Sequence, residues 1–221
     1  MYCFKEIDKT ATVTEQNVVS YKHNFTTSSV GISSKKIVSG SISSSYWNSL
    51  NVLFYTSASS VYPNESKFIQ PIHSFAESND KLWKDSLDLN LMSAVRTTRI
   101  VLEMLKKSKK GVIINVSSVA SRIGGSGDSL HYGVAKAGLN VFTTGLAREL
   151  KSIRVLGIAP SAVDTDFQKR HSSKVRLQKV INATPMGRIA TAKEIADLVY
   201  FLSSSKASYV SGDTIFITGG R

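Results

Sequence analysis

Cysteine is all but absent. Cys3 is the only one among 221 residues, so no disulfide can form within the chain, and a reducing cytoplasmic setting is the default expectation. Long apolar runs are missing too. None reaches the roughly 20 residues needed to span a bilayer, and residues 1–13 carry no apolar core of the kind a secretory signal has. The four histidines, at positions 23, 73, 131 and 171, show no ligand spacing and no acidic companions, so no metal centre is expected and each reads as a surface or packing residue. Glycine is scarce where it would matter: only Gly31 and Gly40 precede residue 110, and the other twelve follow it. Acidic residues are outnumbered 16 to 28, leaving a net charge of +12. The imbalance is local. Residues 1–80 hold 6 Lys and 6 acidic residues, and all the excess lies in 81–221. A basic cleft there would attract an anionic cofactor. The run Lys106-Lys107-Ser108-Lys109-Lys110 closes a predicted helix, where cations suit the carboxyl-end dipole, so it reads as a solvated helix end rather than a nucleic-acid surface.

What is present is concentrated between Gly111 and Leu150. Val112 to Val116 is too short for a helix and β-branched enough for a buried strand. A Ser- and Gly-rich loop follows from Ser117 to Ser129. From about His131, Val134, Leu139, Phe142, Leu146 and Leu150 recur at helical spacing. Strand, polar loop and helix in that order make one βα step of a parallel sheet. Ligands of such sheets bind beyond the carboxyl ends of the strands, where Ser117, Ser118 and the start of the helix carrying Tyr132 and Lys136 would sit. Tyr132 and Lys136 lie four apart and share one helical face. A free phenol has a pKa of about 10, too high for proton exchange at neutral pH, and a cation beside it would lower that value. Taken alone, the same pair also describes an ordinary half-buried ring next to a solvated amine.

The surrounding residues decide between these readings. Asn115-Val116-Ser117-Ser118 followed by Tyr132-Gly133-Val134-Ala135-Lys136 resembles the core of a short-chain dehydrogenase/reductase. Asn90, in a helical stretch ending near Lys107, sits where that family keeps a helix Asn. Ala159-Pro160-Ser161-Ala162-Val163-Asp164-Thr165 resembles its Pro-Gly-x-x-x-Thr turn, with Ser161 in place of Gly. Tyr209 through Gly220 resembles its last strand. The resemblance runs from about Leu50 to Arg221. It implies an α/β fold: a Rossmann-like, doubly wound parallel sheet in three α/β/α layers, as one domain over 1–221. It also implies a function, the NAD(P)-dependent interconversion of a small-molecule carbonyl and its alcohol. Tyr132 would be general acid–base, Lys136 would tune it and hold the nicotinamide ribose, and Ser118 (or Ser117) would hydrogen-bond the reacting oxygen. Asn90 would complete a proton relay. Pro160, Val163 through its backbone, and Thr165 would meet the nicotinamide, and family members commonly form homodimers or homotetramers.

The first fifty residues depart from that pattern. The family places a glycine-rich phosphate turn here, between a strand and a helix. The nearest echo is Thr26 to Ser33, in which only Gly31 keeps a glycine position. A βαβ unit takes about 30 residues or more, so the three βα steps expected before the strand at Asn51–Tyr55 cannot all fit. The first βαβ half is therefore expected to be curtailed, with 1–50 atypical and the choice between NAD and NADP unreadable. The alternative function this leaves is a non-catalytic homologue, a pseudoenzyme or partner subunit that has lost cofactor binding. Further along, Asn79-Asp80 should cap the helix running to Lys107, with Leu82, Leu87, Leu91, Val95, Val101, Leu102 and Leu105 as its apolar stripe. Residues 153–159 should form a strand and 166–189 an irregular basic loop. Thr191 to Glu194 should be a capping box opening a helix to Leu202, and 212–219 the closing strand.

Overall fold

The computed structural model describes residues 75–108, 110–125, 129–165, 168 and 172–221, and the backbone of 18–19, 31–32 and 52–55. In chain order its elements are β1 (Val18–Val19), β2 (Gly31–Ile32), β3 (Val52–Tyr55), α1 (Asp80–Leu87) and α2 (Ser93–Lys107). Next come β4 (Val112–Val116), α3 (Ala120–Ile123), α4 (Leu130–Glu149), β5 (Arg154–Pro160) and β6 (Val163–Asp164). The chain continues with α5 (Lys174–Asn182), β7 (Ala190–Thr191), α6 (Ala192–Ser203) and β8 (Thr214–Ile217).

Four strands form one parallel sheet in the order β3-β4-β5-β8. Strand β4 lies inside it, and the expected run Val112–Val116 is matched residue for residue. Because side chains alternate along a strand, Ile113 and Ile114 leave on opposite faces. Ile113 joins Val101, Leu105, Leu150, Ile153 and Val155 under α2 and α4. Ile114 joins Val112, Leu156, Ile158, Val199 and Leu202 under α6. Two helical layers thus sandwich the sheet, and each fully buried aliphatic side chain contributes about 1.5–3 kcal/mol. No helix among the described residues is long and apolar enough to cross a membrane.

Asn79 caps α1 as expected, its side chain accepting from the Leu82 amide at 3.0 Å. The long helix is interrupted, however. Asp88–Met92 forms a π-helical turn, with Asn90 at its centre. The buried face shares Leu82, Val101 and Leu105 with the apolar stripe read from the sequence, but Leu87, Leu91, Val95 and Leu102 are only half-buried. It runs through Leu82, Ser86, Asn90, Ser93, Ala94, Thr97, Thr98, Val101 and Leu105. Small side chains let this helix lie close to α4, where a Cβ on Gly138 would come within 2.9 Å of Leu91 Cδ2. In α4, likewise, Val134 is exposed, while Ala135, Lys136, Leu139 and Thr143 are buried.

Three stretches read as irregular contain structure. The Ser/Gly loop holds α3, which ends at Gly124 in the left-handed region (φ 76°). The turn after β5 continues into β6, paired in parallel with β7. The basic segment 166–189 contains α5, started by the Ser173 side chain accepting from the Arg176 amide at 3.2 Å. The capping box of α6 is present as read, with Glu194 bonded back to Thr191. Gly31 belongs to β2, which pairs antiparallel with β1. The rest of residues 1–50 lies outside the described residues.

Candidate active site

The carboxyl ends of β4 and β5 and the first turns of α4 meet at one place. Strand β4 ends at Val116, so Ser117 and Ser118 project beyond the sheet. The Ser117 amide donates to the Ile158 carbonyl at 2.7 Å and the Val119 amide to the Pro160 carbonyl at 2.9 Å, fixing this corner to β5. The start of α4 is pressed against the end of α3. A Cβ on Gly133 would lie 2.8 Å from the Gly124 carbonyl carbon, so only glycine fits between Tyr132 and Val134.

Tyr132 is half-buried and hydrogen-bonded to the Ser118 side chain. Burial pushes its pKa up, and the Ser118 hydroxyl at the phenol oxygen pulls it partly back. Lys136 is 2% exposed. Its Nζ lies 5.7 Å from the Tyr132 ring centroid and donates to the Val116 carbonyl at 2.8 Å. Burial lowers the Lys136 pKa to about 7. The expectation of a phenol already made acidic by its neighbour is therefore not met in the ligand-free protein. At the phenol, desolvation outweighs the Ser118 hydrogen bond, which is what favours the phenolate.

The two serines separate clearly. Ser117 is 5% exposed, and its hydroxyl donates to the Lys136 carbonyl at 3.1 Å. Ser118 is the one at the phenol. Asn90 is fully buried; its amide group donates to the Ser86 carbonyl at 3.1 Å, and its side-chain oxygen has no protein partner. The π turn that carries it packs on α4, the helix of Tyr132 and Lys136. Pro160 ends β5. In the parallel pair β6–β7 the Ala190 amide donates to the Ala162 carbonyl at 3.1 Å, a register that directs the Val163 amide away from β7. The Thr165 hydroxyl donates to the Val163 carbonyl and accepts from the Gln168 amide, both at 3.3 Å. Gly31, the remaining candidate, lies in β2, paired with Val19 of β1. No cluster of His, Cys, Asp or Glu among the described residues could hold a metal ion.

Sequence reasoning passed over two groups. One is the Val116 carbonyl that receives Lys136; a backbone acceptor carries no residue-type signal. The other is Ser161, whose buried hydroxyl lacks a protein partner beside a cavity of about 70 Å³ lined also by Arg188, Glu194 and Thr218. Its substitution for glycine was the only hint.

A family model described as Enoyl-(Acyl carrier protein) reductase matches residues 47–221. The 3-oxoacyl-(acyl-carrier-protein) reductase FabG of Pseudomonas aeruginosa is 39% identical over 143 residues, 64% of this chain and 57% of that protein. Its namesake in Escherichia coli is 37% identical over 143 residues, with 64% and 58% covered. The chain thus spans somewhat over half the length of these curated relatives. Among solved structures, a 3-oxoacyl-(acyl-carrier protein) reductase from Brucella melitensis with bound NAD superposes with a TM-score of 0.64 at 27% identity, covering 77% of this chain and 62% of that one. The ligand-free aldohexose dehydrogenase of Thermoplasma acidophilum, at 22% identity, gives a TM-score of 0.67 over 78% of this chain and 68% of that one, a likeness of fold alone.

Proposed function

The chain belongs to the short-chain dehydrogenase/reductase family, and from that premise we propose that it is an NAD(P)-dependent oxidoreductase that reduces a carbonyl to an alcohol, or the reverse. The observation that carries this reading is the Ser118–Tyr132 hydrogen bond beside a buried Lys136. Residues at the nicotinamide end of a dinucleotide fit the assignment. The Val163 amide is turned away from its sheet partner, and Pro160 and Thr165 shape the same turn. When bound, the nicotinamide supplies or accepts the hydride.

This chain's own residues handle the proton. In the reducing direction the Tyr132 phenol donates its proton to the substrate oxygen, and the Ser118 hydroxyl holds that oxygen in place. A phenol whose pKa is raised by burial stays protonated at neutral pH, the state a proton donor needs. Lys136 stands ready to stabilise the phenolate left behind once a partner charge or proton reaches it. Asn90, with a buried oxygen awaiting a donor, suits a water on a path that returns the proton. The names of the relatives make a 3-oxoacyl thioester the first substrate to try. Exposed Val134 and Val141 on α4 and Ile100 on α2 suit association into a homodimer or homotetramer, which sedimentation would read directly.

The scarcity of glycine before residue 110 favours a second reading, a non-catalytic homologue without cofactor binding. Titration with NADH and NADPH separates the two. Saturable binding is expected, with thioester-dependent oxidation of the nucleotide that falls about 100-fold or more in Tyr132→Phe. Binding of neither nucleotide would leave the non-catalytic reading.

A further inference from the structure

Ser117 is a buried nucleophile-type side chain for which the proposed chemistry has no use. It is 5% exposed, so no substrate oxygen reaches it. Its single hydroxyl proton is committed to the Lys136 carbonyl at 3.1 Å. That carbonyl lies inside α4 and faces an amide of the next turn as well, so the serine bond is additional to the helix ladder. Its own amide is tied to Ile158 at 2.7 Å. One residue earlier, the Val116 carbonyl holds Lys136 Nζ at 2.8 Å. Two consecutive groups at the end of β4 therefore grip Lys136 at both ends, one at its backbone and one at its amine. A second tie, Asn140 Nδ2 to Ser121 Oγ at 2.9 Å, lies one turn further along α4. It fastens the helix to α3 rather than to the strand.

We propose that Ser117 is a positioning residue: by holding the Lys136 carbonyl, its hydroxyl sets the height of α4 against the end of β4, so that the Lys136 amine stays on the Val116 carbonyl beside Tyr132. This rests on the functional reading above for its catalytic consequence, but not for its geometry. Loss of the hydroxyl leaves the Lys136 carbonyl its helical partner, so the fold should survive. What changes is the seat of the amine, which becomes freer to reach water.

The test compares wild type with Ser117→Ala and Ser117→Thr, which deletes or keeps the hydroxyl. Lysine-selective 15N NMR of the ligand-free protein, with the Lys136 signal assigned from Lys136→Met, reads the amine directly. The wild-type amine should titrate near pH 7, Ser117→Ala should titrate closer to ordinary lysine, and Ser117→Thr should follow wild type. With a 3-oxoacyl thioester, Ser117→Ala should lower kcat about 10-fold, with KM unchanged and the pH profile displaced, because small misplacements of catalytic groups are costly. Identical amine titrations and pH profiles in all three proteins, with only the melting temperature altered, would overturn the proposal. Should wild type lack turnover, the functional reading fails while the amine titrations still decide the role of Ser117. If Ser117→Ala does not fold, Ser117→Cys, similar in shape but a weak donor, takes its place.

Discussion

A lysine with 2% exposure is costly wherever it must carry charge. The Lys136 pKa falls from 10.5 to about 7 on folding, through burial. Between those values the unfolded chain binds more protons than the native one, so stability rises with pH across that window. At 1.36 kcal/mol per unit, the penalty amounts to about 4–5 kcal/mol below pH 7 and fades as pH approaches 10.5. Lys136→Met should therefore be more stable than wild type at pH 6. Its advantage in urea unfolding should shrink steadily toward pH 10, and its turnover should be lost. An advantage that does not vary with pH would contradict this account. Tyr132, Lys136 and Asn90 were legible as residues because their spacing matches a known pattern. Their ionisation was not, since it depends on burial and on a carbonyl that no sequence pattern marks. The resemblance already put Ser118 ahead of Ser117, but the separate partners of the two hydroxyls, the Tyr132 phenol and the Lys136 carbonyl, could not be read from adjacent serines.

At the scale of elements, Arg154 shows how strand and helix are joined. Its guanidinium donates to the carbonyls of Leu202 at 2.8 Å, Ala207 at 3.0 Å and Ser204 at 3.2 Å, with longer contacts to Ser203 and Val210 at 3.5 Å. These carbonyls cluster at the end of α6 and the turn beyond it, where helix carbonyls run out of intrahelical amide partners; those of Ser204 and Ala207 also accept from the Ala207 and Val210 amides at 3.3 and 3.0 Å. One planar fork at the start of β5 satisfies them together. Arg154→Ala should cost about 2–4 kcal/mol in denaturant unfolding, and Arg154→Lys should recover only part of it, since an ammonium cannot reproduce the fork. Equal stability of Arg154→Lys and wild type would show that charge alone suffices. Helix caps such as Asn79 and the Thr191–Glu194 box were readable because they are local. The π turn was not. Inserting one extra residue into a single turn leaves no mark in composition, yet it shifts the face there, so Ser86, Asn90 and Ser93 are buried in place of Leu87 and Leu91. The helix α5 was missed because its few apolar residues, Val175, Leu177, Val180 and Ile181, are none of them buried.

Across the whole molecule, the parallel direction of β3, β4, β5 and β8 could be read because the apolar runs alternate with helices, as a parallel sheet demands. The fit between strands could not. Gly157 on β5 faces Thr214 on β8, and a Cβ there would lie 2.3 Å from the Thr214 hydroxyl oxygen. Gly157→Ala should cost about 1–3 kcal/mol by overpacking, and Gly157→Ala with Thr214→Ala, which removes the clashing hydroxyl, should regain part of that loss. Thermal melts of the single and double variants measure it; additive losses would mean the two residues do not meet. The arrangement of strands also bears on how the chain is made. Each strand of a parallel pair waits for a partner from a distant segment, and such pairings form slowly. Strand β8 follows β5 only after α5 and α6, so the outer edge of β5 stays bare until both helices have been made. During that interval a nascent chain has its greatest tendency to clump, and a chaperone would have most to shield.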